Sequence, residues 1–144
     1  MRRGDLLMTN RHTLAFIAEP GHIDALGHVN NAVWVRWMEE IATAHWLAAA
    51  SPQHQAAYGW VVTRHEIDYR GNIGLGESVT AETFINTGPS GARFDRRVDF
   101  RNAAGKVIVS ARTSWAMIDI ASGRLMRVPA EVAAPFAPDE GWQG

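Results

Sequence analysis

The run His22-Ile23-Asp24-Ala25-Leu26-Gly27-His28-Val29-Asn30-Asn31 sets a carboxylate and two imidazoles around a glycine turn. A long, largely apolar stretch follows directly, carrying Trp34, Trp37, Met38, Glu39 and Glu40. The first N–H groups of a helix there would have no partners within it and would carry the positive end of its dipole. A carboxylate beside such donors can act as general base or nucleophile while the amides stabilise a developing oxyanion. That combination suits attack on an activated carbonyl. On spacing alone the same residues also fit a purely structural turn, with Asp24 and Asn30 as caps.

The helix itself is signalled locally. Asn30 is a favoured N-cap residue, so Asn31 falls in the first turn, and no Pro or Gly interrupts residues 31–50. Val33, Trp34, Trp37, Met38, Ile41 and Leu47 spread round much of its circumference, the pattern of a helix buried on most sides. Ser51-Pro52 stops it, and a polar connection leads to Gly59.

Strands make up the rest. Leu14–Ala18 is a short first strand, and Trp60–Tyr69 a second, with Val61, Thr63, Ile67 and Tyr69 on one face around His65. Ser78–Thr87 is a third. In the fourth, Phe94, Val98 and Phe100 alternate with Arg93, Asp95, Arg97, Asp99 and Arg101, and Arg96 is the exception on the apolar face. Lys106–Ile120 is the fifth, and Pro129–Val132 adds a helical turn. One buried helix with an antiparallel sheet of about five strands is an α+β architecture. A single domain over residues 1–144 is expected, with its core from about 12 to 132 and loose N- and C-terminal tails.

Composition removes several function classes. A net charge of −1 gives no electrostatic basis for nucleic-acid binding. The absence of cysteine excludes disulfides, thiolate catalysis and Cys-ligated zinc. None of the six histidines falls in a His-Glu-x-x-His pattern, and no metal or other cofactor is expected. Gly71, Gly74 and Gly76 do not open a helix, so they form no phosphate loop. The basic start has too short an apolar run for a secretory signal, and no stretch approaches membrane-spanning length, so a cytoplasmic protein is the expectation. Exposed sheet edges and six tryptophans point to a second copy closing an edge.

The string His22-Ile23-Asp24, then His28-Val29-Asn30-Asn31-Ala32, then Glu39-Glu40, resembles the hotdog-fold acyl-CoA thioesterases of the 4-hydroxybenzoyl-CoA thioesterase superfamily. The closest resemblance is to the bacterial long-chain acyl-CoA thioesterase branch. It continues through Ile67-Asp68-Tyr69-Arg70, Gly76-Glu77 and the stretch Asp119–Arg124. What it implies is a hotdog fold, a long central helix wrapped by the curved sheet, and hydrolysis of an acyl-CoA to free acid and CoA.

By that resemblance Asp24 matches the catalytic aspartate, as base or nucleophile, and Asn31 the position whose backbone N–H polarises the thioester carbonyl. Gly27 would let the chain approach the thioester, and His28 either orients water or Asp24, or bonds within the turn. Glu39 is a second carboxylate to weigh, because a related branch uses a helix-borne glutamate. Trp34, Met38, Thr63 and His65 are candidates for the acyl pocket. Arg93, with Arg96 and Arg97, is a candidate for the CoA phosphates, although alternation with Asp95 and Asp99 also fits a solvated face. The resemblance further implies a homodimer or homotetramer with the site at a subunit interface. An acyl carrier protein thioesterase and a non-catalytic acyl-CoA-binding domain are the alternatives.

Overall fold

The computed structural model of the chain describes residues 8–143; the N-terminal tail of residues 1–7 lies outside the described residues. Strands β1 (Arg11–Ile17), β2 (Tyr58–Tyr69), β3 (Ser78–Phe84), β4 (Arg93–Arg101) and β5 (Val107–Asp119) form one sheet in the order β1-β3-β4-β5-β2. Every neighbouring pair is antiparallel. Helix α1 (Asn31–Ala49) lies between β1 and β2 in the chain and packs on the sheet. The α+β hotdog arrangement expected from the sequence is present.

Helix and sheet meet through register. Phe100 on β4 stands opposite Ala81 on β3 and Val109 on β5, and all three are wholly buried. Trp34 of α1 lies edge-on to Phe100 with ring centroids 5.0 Å apart. Burying side chains of this size stabilises the fold by roughly 1.5–3 kcal/mol each. A second cluster, around Phe94, Met117, Val132 and Phe136, fills the other end of the domain.

Three expectations change. First, α1 is not buried on most sides: Val33, Trp34, Trp37, Met38, Ile41, Ala42 and His45 form one buried stripe. Leu47 is 57 % exposed on the opposite side, and Glu39 and Glu40 are exposed as well. Second, the connection after α1 contains a short helix, α2 (Pro52–Ala57), whose N-cap Ser51 accepts the His54 N–H at 3.2 Å. Pro at the first helical position starts a helix as readily as it ends one. Third, the C-terminal tail is not loose. Helix α3 (Ala130–Ala133) leads into a 3-10 turn that buries Phe136, and Trp142 packs on Gly88 and, 5.7 Å between centroids, on Phe94. Among the described residues no helix is long and apolar enough to cross a membrane.

Candidate active site

The turn before α1 is a small hairpin. Ile23 bridges Val29, the Asp24 N–H donates to the His28 carbonyl at 2.8 Å, and the Asn30 N–H donates to the His22 carbonyl at 2.9 Å. These bonds fold Asp24 back towards the start of the helix. Asp24 Oδ1 accepts the N–H groups of Leu26 at 2.9 Å and His28 at 3.2 Å. Oδ2 takes no donor among the described residues. Gly27 has φ 78°, a left-handed conformation that other residues reach only with strain, and open space lies where a Cβ would stand.

Asn30 then caps α1, its Oδ1 accepting the Ala32 N–H at 2.9 Å while its carbonyl accepts the Val33 N–H at 2.9 Å. The Asn31 N–H is left without an acceptor among the described residues. A partly buried carboxylate with one open oxygen therefore sits in a short hairpin that runs straight into a helix-terminal amide with no acceptor. The exposed His28 side chain makes no hydrogen bond among the described residues. His22 is committed elsewhere: its Nδ1 accepts the Glu19 N–H at 3.0 Å and its ring meets Trp37 edge-on at 5.2 Å.

The link between β2 and β3 pins this hairpin. Asn72 Oδ1 accepts from the Val29 N–H and the Ile73 N–H, and Asn72 Nδ2 donates to the Val29 carbonyl. The Gly74 N–H donates to Glu77 Oε1 at 2.7 Å, and Gly74 lies so near the Gly27 carbonyl that a Cβ would stand 3.4 Å from it. Nothing in the sequence marks Asn72 for this task, because its partner is 43 residues away.

The remaining candidates fall in other places. Glu39 Oε2 lies 3.6 Å from His65 Nε2, and His65 Nδ1 lies 2.8 Å from Thr113 Oγ1, so these three join α1 to β2 and β5. Thr63 is exposed and donates to the Ser114 carbonyl at 3.1 Å. The β2–β5 register skips between Val62 and Arg64, which makes Thr63 the extra residue of a β-bulge. The bulge reverses the alternation, so Val61 and Thr63 do not share a face with His65 and Ile67, as the simple two-residue period had implied. Trp34 and Met38 are core residues at 0 % and 2 % exposure. Arg93 is exposed and holds Asp95 through two bonds of 2.8 and 2.7 Å, which keep the Asp95 carboxyl below its usual range.

Arg96 is not at the surface and is not placed for a CoA phosphate. It is 7 % exposed, and its Nη1 donates to His45 Nδ1 at 2.7 Å and Thr83 Oγ1 at 3.0 Å. His45 Nε2 in turn bonds the Thr9 carbonyl. Burial, reinforced by the Arg96 charge, lowers the His45 pKa to about 3, and burial lowers that of Arg96 to about 9. The break in the apolar alternation of β4 was the sequence signal for this group. A cavity of ≈ 170 Å³ opens beside Arg96, and none of Asp24, Asn31, Glu39, Thr63, His65 or Arg93 lines it. Among the described residues, no three His, Cys, Asp or Glu side chains gather as a metal site.

The fold is similar to that of an acyl-ACP thioesterase from Bacteroides thetaiotaomicron, with TM-score 0.78 and 21% identity over 92% of this chain and 56% of that one. The chain thus spans little more than half the length of that protein. It is similar to a 1,4-dihydroxy-2-naphthoyl-CoA thioesterase from Synechocystis, with TM-score 0.72 and 16% identity over 88% of this chain and 95% of that one. A Staphylococcus aureus hypothetical protein in complex with CoA gives TM-score 0.77 and 12% identity over 87% and 80% of the two chains. At these identities the likeness is one of fold. No curated protein matches the chain. Residues 18–136 match the family model of the thioesterase-like superfamily, a span that holds the whole Asp24 hairpin, α1 and strands β2 to β5, and the chain belongs to that superfamily.

Proposed function

We propose that the protein hydrolyses acyl-CoA thioesters to a free acid and CoA, with Asp24 as the catalytic carboxylate and the Asn31 N–H as oxyanion donor. The observation that carries this reading is the open Asp24 Oδ2 in the hairpin that leads directly into the acceptor-free Asn31 amide at the start of α1. A thioester is more electrophilic than an oxygen ester, and a thiolate leaves readily, so one base and one donor suffice. A single oxyanion-hole donor is typically worth ~2.7–4 kcal/mol.

As general base, Asp24 takes a proton from water while the water oxygen attacks the carbonyl carbon. The carbonyl oxygen gains charge against the Asn31 amide. Collapse breaks the C–S bond, and the proton held by Asp24 returns to the CoA thiolate. As nucleophile, Asp24 instead attacks the carbonyl carbon, the C–S bond breaks to release CoA thiolate, and water cleaves the resulting acyl anhydride to the free acid and the Asp24 carboxylate, its proton passing to the thiolate. Gly27 shapes the turn for either route, and the exposed His28 would order the attacking water. Glu39 starts about 12 Å along α1 from Asn31 at 1.5 Å per residue, so within one protomer it serves His65 rather than the Asp24 turn.

A second copy completes this reading. β2 is an edge strand with its outer side unpaired, and Val61 and Tyr69 on it are 42% and 41% exposed. Pairing along β2 would cover them and set Thr63 and the Glu39–His65 pair at the interface, where an acyl-CoA can pass between subunits. Trp34 and Met38 then back the site from the core. A phosphate at Arg93 would have to break its two bonds to Asp95.

Carrier-protein thioesters are the second reading, because a structure of similar fold is an acyl-ACP thioesterase. Free-thiol release from short, long, branched and aromatic acyl-CoAs, set beside acyl carrier protein loaded with the same groups, tests both. Release from CoA esters supports the proposal. Release from the carrier alone transfers it to the second reading, and no release by folded protein leaves a binding domain.

A further inference from the structure

Arg96 is a buried cation with no buried anion. No carboxylate pairs with it among the described residues, and its two bonds, to His45 and Thr83, both leave from Nη1. Nε and Nη2 have no acceptor among the described residues, and the side chain forms part of the wall of the ≈ 170 Å³ cavity. A guanidinium has five N–H donors in a planar fork, matched to the two oxygens of a carboxylate. Holding one in the core costs stability unless a counter-charge is supplied.

The rest of the wall is largely aromatic and aliphatic. Trp46, Trp60, Phe94 and Phe136 line the same cavity, Arg96 lies over the Phe136 ring at 5.8 Å, and exposed Thr43 stands at the mouth. An apolar cavity of about 150 Å³ holds benzene, so this one takes a single ring with a small substituent. A phosphate fits it poorly, because one cation would have to offset close to two buried negative charges among apolar walls. The cavity also lies apart from the Asp24 hairpin: Asn31 and Trp46 are about 22 Å apart along α1 at 1.5 Å per residue.

We propose that this cavity is a second ligand site, for a carboxylate carried on a single aromatic ring or a body of that size. Arg96 takes the carboxylate through Nε and Nη2, and the tryptophan and phenylalanine faces hold the ring. The proposal goes beyond thioester hydrolysis and stands whether or not the Asp24 assignment does. Two sources carry the chemistry, a free aromatic acid and the far end of an acyl group that itself bears a carboxylate.

Calorimetric titration of the full chain with benzoate, benzamide and inorganic phosphate tests it, repeated on Arg96→Met and Thr43→Trp. Benzoate is expected to bind saturably, with benzamide and phosphate at least about tenfold weaker, the difference a charge-assisted hydrogen bond makes. Both variants should weaken benzoate by a similar factor. Thr43→Trp closes the mouth without touching Arg96, so it decides the matter if Arg96→Met does not fold. Equal binding of benzoate and benzamide, phosphate binding as tight as benzoate, or benzoate binding unchanged by Thr43→Trp would each overturn the proposal, as would no saturable benzoate binding. In a thiol-release assay, inhibition by benzoate competitive with acyl-CoA marks the acyl-group source, and non-competitive inhibition marks the free acid.

Discussion

Asn72 grips Val29 by both of its backbone groups, Oδ1 accepting the N–H at 3.2 Å and Nδ2 donating to the carbonyl at 3.1 Å. Val29 is buried and precedes the Asn30 cap, so this grip sets where α1 begins relative to Asp24. In the proposed mechanism Asn72 is thereby a positioning residue rather than a catalytic one.

Replacing Asn72 with alanine leaves the Val29 carbonyl short of a donor, a loss of about 1–3 kcal/mol for a buried polar group. The expected outcome is a kcat lowered about tenfold with KM little changed, because the oxyanion donor shifts more than the acyl pocket. Steady-state kinetics beside denaturant titration checks this. A destabilised variant with full kcat would show that the grip serves stability alone.

Trp34 fills the core between α1 and Phe100. Trp34→Ala is therefore expected to cost about 3–5 kcal/mol of stability, the usual penalty for emptying such a site. Denaturant midpoints measure it. A near-wild-type midpoint joined to altered acyl selectivity would place Trp34 in the pocket instead.

His45 sets an acid limit. Its pKa is lowered to about 3 in the fold, against 6.5 in the unfolded chain, so the unfolded state binds the extra proton between those values. Its stabilising effect is complete above pH 6.5 and is lost as pH falls towards 3, by a few kcal/mol in all. His45→Gln should flatten the fall of stability with pH across that window relative to wild type. Parallel curves for the two proteins would contradict the assignment.

Much of this was legible in the sequence, and the exceptions have physical causes. Asn30 before an uninterrupted run marked the start of α1, and the charged alternation of β4 marked a strand with one buried face. The facing of β2 departs from a two-residue period because a bulge at Thr63 adds one residue, which no such period can register. The spread of apolar residues round α1 implies burial on most sides, yet Leu47 is left uncovered by a single chain. Arg96 was visible as a break in pattern, but its partners, His45 and Thr83, come from other elements and only folding brings them together. The Asn72 grip had no local signature at all.

The central claim is that Asp24 performs the chemistry. Asp24→Asn keeps an Oδ1 to accept from Leu26 and His28, so the hairpin and the melting temperature should survive. Thiol release from the best acyl-CoA substrate is expected to fall by about a hundredfold or more, within the range typical of a lost general base. Glu39→Gln, measured alongside, should stay within about threefold of wild type, since Glu39 faces His65. Wild-type turnover by Asp24→Asn, with loss of turnover in Glu39→Gln, would contradict the claim and move the catalyst to the helix.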